Sequence, residues 1–147
     1  MSKKKVLIVD DCEIIRKQCS RILIKMGFNV KLASNGLEAI EQVKLYHPDV
    51  VILDIIMPEM NGYQVCRQIK SHPQTKNISV IFCSSKCSEV DIYWGMKQGA
   101  DGYISKPVKK DKLITLMSRF SGYKNEIKEY SDQSLYQEGR IQILPSV

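Results

Sequence analysis

The chain has 147 residues, 44% of them apolar and 26% charged, with a formal net charge of +6. That is the size and composition of one globular domain with a short tail. No apolar run approaches the roughly 18 residues of a membrane span, and the basic start "MSKKKVLIVDD" carries an apolar stretch of four residues closed by two acids, too short for a secretory signal. The protein is therefore expected to be cytoplasmic, without membrane insertion.

Taken in chain order, "KKVLIVDD" reads as a buried strand. In "CEIIRKQCSRILIKMG", Ile14, Ile15, Cys19, Ile22, Leu23 and Met26 fall at helical spacing, and Gly27 follows where a helix C-cap belongs. "FNVKLA" is a second strand, "SNGLEAIEQVKLYH" a second helix stopped before Pro48, and "DVVILD" a third strand. "NGYQVCRQIKSH" forms a third helix ended by Pro73, and "ISVIFCSS" a fourth strand. "EVDIYWGMKQG", with Trp94 expected to pack on a helix face, "ADGYIS" and "KKDKLITLMSRF" complete the alternation. Apolar strands followed by amphipathic helices predict an α/β fold: a doubly wound, five-stranded parallel sheet with five helices on its two faces.

After Phe120 the pattern changes, and the expected division is a domain over 1–120 and a C-terminal tail over 121–147, flexible or docked. "NEIKEYSDQSLY" has the pattern of one short helix and "GRIQILP" of an extended segment. Docking would use Tyr130, Leu135, Tyr136, Ile141 and Leu144. The tail is too short for a separate DNA-binding module. The lysines are spread through the chain, with dense clusters at Lys3 to Lys5 and Lys109 to Lys112, so nucleic-acid binding is not expected. Five cysteines include no C-x-x-C pair, and Cys83 and Cys87 lack a second Cys/His pair, so reduced thiols are expected rather than a zinc site.

The chemistry is carried by the strand ends. The first strand ends in Asp10-Asp11, the third in Asp54 and the fourth in Ser84-Ser85, and Lys106-Pro107 follows the fifth. In a parallel sheet these ends share one edge, where open α/β sheets place their sites. Three gathered carboxylates repel one another, and a divalent cation relieves this. Oxygen ligands from few side chains suit Mg²⁺. A carboxylate flanked by Mg²⁺, an ammonium and a hydroxyl is suited to a phosphoryl group: Asp54 as nucleophile, Lys106 on the phosphoryl oxygens, Ser84 as hydrogen-bond donor.

"VLIVDD", "DVVILDIIMPEMNGYQVC", "SVIFCSSK" and "GADGYISKPV" together resemble the receiver domain of two-component response regulators, of the single-domain chemotaxis and twitching-motility type, over about Lys4 to Phe120. "YWGMKQGADGYISKP" is similar in particular to pilus-motility receivers of photosynthetic bacteria. The resemblance implies a phosphorylation-dependent signalling switch rather than an enzyme proper. Asp54 would accept a phosphoryl group from a sensor histidine kinase. Asp11, Asp54 and the backbone carbonyl of Ile56 would bind Mg²⁺, with Asp10 acting through water. Ser84 and Lys106 would hold the phosphoryl oxygens, Tyr103 would swing inward as Ser84 moves, and Lys106-Pro107 would be a cis peptide. The face of the fourth helix, fifth strand and fifth helix would then be read by a downstream protein, in motility or phototaxis control. A phosphorylation-dependent dimer is left open. The alternatives are a transcriptional response regulator contacting DNA and a phosphatase using Asp54.

Two positions tune this expectation. Ile56 is apolar where many relatives carry a polar group and cannot orient an attacking water, which predicts slow autodephosphorylation. Lys86 would either reach over the phosphoryl group or lie in solvent. Val108, where relatives often place Phe, is expected to alter packing only.

Overall fold

Four of the apolar runs can be buried on both faces, and they form the middle of the sheet. The computed structural model describes residues 3–121 and the backbone of residues 141–143. In chain order the elements are β1 (Lys5–Val9), α1 (Glu13–Lys25), β2 (Asn29–Ala33), α2 (Gly36–Tyr46), β3 (Val50–Leu53), α3 (Gly62–Ser71), β4 (Ser79–Ser84), α4 (Glu89–Lys97), β5 (Gly102–Ser105), α5 (Lys110–Ser121) and β6 (Ile141–Ile143). The strand order is β2-β1-β3-β4-β5-β6. The first five strands pair in parallel, as the alternation predicts, and β6 adds antiparallel to β5. β2, whose residues are mostly exposed, closes the opposite edge.

Alternating strand residues feed two cores. Val6, Ile8, Ile52, Ile81, Cys83 and Ile104 face α1 and α5, meeting Cys19, Leu23, Leu113, Leu116 and Met117. Leu7, Val9, Val51, Leu53, Val80, Phe82 and Tyr103 face the other way, toward Ala39 and Val43 of α2 and Val65, Cys66 and Ile69 of α3. Each fully buried aliphatic side chain contributes about 1.5–3 kcal/mol. Val108 lies in the first of these cores.

Local signals start and stop the helices. Asn61 and Gln64 form a capping box on α3, and Ser88 and Asp91 form another on α4. Met26 caps α1, and Gly27 beyond it takes φ +96°, the left-handed turn that favours glycine. Two sequence expectations need correction. Ile14 is 76% exposed, because the buried stripe of α1 runs through Cys19, Ile22 and Leu23. Trp94 is 53% exposed and meets Tyr93 edge-on, because Gly95, not Trp94, faces the sheet.

The extended segment expected at "GRIQILP" contains β6. The expected helix at "NEIKEYSDQSLY" and docking through Tyr130, Leu135, Tyr136, Leu144 and the Ile141 side chain lie outside the described residues. Among the described residues no helix is long and apolar enough to cross a membrane.

Candidate functional site

The strand order reverses between β1 and β3, which opens a crevice beyond the carboxyl ends of these neighbouring strands. Their register pairs Val9 with Leu53, so Asp10 and Asp54, each the next residue, emerge side by side. The backbone holds both in line: the Asp10 N–H donates to the Ala33 carbonyl at 3.1 Å and the Asp54 N–H to the Val9 carbonyl at 2.9 Å. One carboxylate oxygen from each of Asp10, Asp11 and Asp54 lies within 4.8 Å of the others. Asp10 and Asp54 are buried, whereas Asp11 opens to solvent.

Lys106 enters this cluster from the end of β5. Its N–H donates to the Ser84 carbonyl at 2.9 Å, and the Lys106–Pro107 peptide bond is cis. Its Nζ stands 2.7 Å from Asp10 Oδ2 and 3.3 Å from Asp54 Oδ1. One ammonium cannot neutralise three carboxylates. Burial, followed by the Asp10 charge, pushes the Asp54 carboxyl up to about 6, against the pull of Lys106. Burial works against the Lys106 ammonium, but the hydrogen bond to Asp10 and the charges of Asp54 and Asp10 outweigh it and leave its pKa above the ordinary lysine value. Asp10 is better satisfied, its Oδ1 accepting the Cys12 N–H at 2.9 Å.

The hydroxyl side of the site is built by β4 and its loop. Ser84 is buried at the end of β4, opposite Ser105, and its Oγ accepts the Lys86 N–H at 3.1 Å. The Lys86 side chain is exposed, and its carbonyl accepts the Tyr103 hydroxyl. Tyr103 is 1% exposed and packs against Phe82. Burial raises its pKa, with the hydrogen bond to Ser84 acting in the opposite direction. Tyr103 thus already occupies the inward position, whereas the sequence reading reserves that position for the phosphorylated state. The reason lies on α4: a Cβ at Gly95 would stand 3.1 Å from atoms of both the Tyr103 and Phe82 rings, so glycine leaves the room the ring fills.

Asp10, Asp11, Asp54, Lys106 and Ser84 therefore converge at one rim. Ile56 lies two residues past Asp54 with its side chain 53% exposed, and Lys86 and Tyr103 border the same loop. Sequence reasoning missed Gly62 and Gly95. A Cβ at Gly62 would come within 2.2 Å of the Asp54 carbonyl oxygen, so α3 can begin against the Asp54 backbone only with glycine there. The available signal was Asn61-Gly62 at a helix start. Nothing in the sequence marks Gly95.

The donor set fits a small divalent cation. It consists of carboxylate oxygens, partly solvated through Asp11, with two negative charges in excess after Lys106 is counted. Hard oxygen ligands with room for water suit Mg²⁺. The five cysteines are free thiols, and three of them, Cys19, Cys66 and Cys83, are buried.

The family model described as the response regulator receiver domain matches residues 6–118. Protein PilH of Pseudomonas aeruginosa is 38% identical over 110 residues, covering 75% of this chain and 91% of PilH. Protein PilG of the same organism is 36% identical over 110 residues, covering 75% of this chain and 82% of PilG. The solved structure of chemotaxis protein CheY4 of Vibrio cholerae matches with a TM-score of 0.76 at 30% identity, over 80% of this chain and 98% of that one.

Proposed function

Since the chain belongs to the response regulator receiver domain family, and is a signalling switch of the two-component type, we propose that Asp54 is its phosphoacceptor and that a sensor histidine kinase is the donor. An Asp54 carboxylate oxygen attacks the phosphorus of a phosphohistidine, a bond forms between oxygen and phosphorus, and the phosphorus–nitrogen bond breaks. The electron pair stays on the imidazole, which takes up a proton. Mg²⁺ would be held by Asp11, Asp54 and the Ile56 carbonyl, with Asp10 through water, and would supply positive charge to the phosphoryl oxygens. Lys106 turns from its carboxylate partners to a phosphoryl oxygen, and Ser84 donates its hydroxyl to another. The observation that carries this reading is Lys106 bridging Asp10 and Asp54, with Asp11 beside them.

The added phosphoryl group carries roughly −1.5 to −2 charges. Drawing Ser84 toward it moves the loop whose Lys86 carbonyl holds Tyr103, so the event reaches the face of α4, β5 and α5. The exposed Val90, Tyr93 and Trp94 of α4 offer that face to a downstream protein. PilH, PilG and CheY4 match over most of their own length, which favours output by protein contact over a DNA-binding regulator. The chemotaxis name borne by CheY4 supports motility control as the setting, and phototaxis and a cytoplasmic location belong to the same proposal. We assign residues 1–120 to the receiver and 121–147 to a tail, and read the apolar Ile56 as a cause of slow autodephosphorylation.

Beryllofluoride with Mg²⁺, followed by amide NMR, tests the switch. Shifts should extend from Asp54 through Ser84 and Lys86 to Tyr103 and α4, and vanish in Asp54→Ala. Shifts in Asp54→Ala, or none beyond Asp54 in the wild type, would overturn it.

A further inference from the structure

An edge strand presents unpaired N–H and C=O groups, a template for any extended segment. In this sheet the edge at β5 is covered by the chain itself. β6 lies antiparallel with Gly102 opposite Ile143, Tyr103 opposite Gln142 and Ile104 opposite Ile141. Parity identifies which backbone groups meet. The Lys106 N–H donates to the Ser84 carbonyl on β4 at 2.9 Å. Backbone direction alternates along a strand, so the Ile104 and Gly102 backbone groups also face β4, while the Tyr103 N–H faces β6. Tyr103–Gln142 is then the hydrogen-bonded pair, with Gly102–Ile143 and Ile104–Ile141 the non-hydrogen-bonded pairs on either side of it.

We propose that the β5 edge is a strand-docking surface and that its occupant is the chain's own segment Ile141–Ile143, held in cis and displaceable by an extended peptide of similar pattern. Three register pairs make a short ladder. Because the segment belongs to the same chain, its docking is intramolecular, with an effective concentration on the order of millimolar that offsets this. The surface is well placed for regulation, because β5 carries Tyr103 and leads into Lys106. The docking itself does not rest on the phosphoryl chemistry, so either reading stands or falls without the other.

Amide exchange on the full chain tests the proposal. In the wild type, the Tyr103 amide should be protected along with that of Ile104. In the variant Gln142→Pro, which removes the β6 donor opposite Tyr103, the Tyr103 amide should exchange roughly tenfold faster or more, with Ile104 unchanged. Gln142→Thr, which keeps the N–H group, should behave as wild type. A labelled peptide EGRIQILP, the sequence of residues 138–145, should bind the proline variant about tenfold more tightly than the wild type. Equal exchange in wild type and proline variant, or equal peptide affinity, would overturn the proposal. Protection that falls on dilution would place a second copy's strand on the edge and overturn the cis assignment.

Discussion

At Asp54, burial and the Asp10 charge favour the protonated carboxyl, and Lys106 favours the carboxylate. Burial and repulsion win, taking the group from 3.8 to about 6. Between these values the folded protein binds more protons at Asp54 than the unfolded chain does. Stability from this group is therefore present at low pH and lost as pH rises through about 6. Asp54→Asn should accordingly stabilise the metal-free protein by about 2 kcal/mol at neutral pH. The advantage should grow from about pH 4 to pH 6 and then level off. Urea denaturation of both proteins across that range, without divalent cation, checks this; an advantage independent of pH would contradict it. Ile56 poses a kinetic question. Its exposed apolar side chain offers no hydrogen bond to an attacking water. Ile56→Asn should shorten the half-life of the acyl phosphate several-fold, read by loss of phosphorylated mass with time, and an unchanged half-life would refute the tuning role.

At the scale of the element, the site depends on how closely helices approach strand ends. α4 carries Gly95 against Tyr103 and Phe82. Gly→Ala inside a helix ordinarily stabilises by about 0.5–1 kcal/mol. Here the added methyl should instead give a net loss of about 1 kcal/mol and drive the Tyr103 ring outward, seen as new solvent exposure of its resonances. Stabilisation with Tyr103 unmoved would show that α4 retreats rather than the ring. Helix positions and strand identities were legible from periodicity and punctuation, as Gly27 beyond α1 and the Asn61 capping box illustrate. Which residues face inward was less so. Ile14 fits a helical stripe as well as Cys19 does, but only the packing of α1 against the sheet separates them. Close approaches such as those at Gly62 and Gly95 depend on the distance between two elements far apart in sequence, which no local pattern records.

At the scale of the whole molecule, the placement of Asp10, Asp11, Asp54, Ser84 and Lys106 on one rim was legible because a parallel sheet puts every strand's carboxyl end on the same side. Three acids without a nearby base in sequence already posed a charge problem, and the structure resolves only part of it through Lys106. The antiparallel addition of β6 was not legible: an extended pattern at residues 139–145 says nothing about which edge it meets, since either edge of the sheet offers free backbone groups. The central claim is that this rim moves a phosphoryl group onto Asp54 with a divalent cation in attendance. Labelled acetyl phosphate, followed by intact mass and peptide mapping, tests it directly. The account predicts one phosphoryl group per chain, located on Asp54, formed with Mg²⁺, not formed when the cation is chelated beforehand, and absent from Asp54→Ala. Labelling that survives in Asp54→Ala, or that proceeds equally well without Mg²⁺, would contradict it.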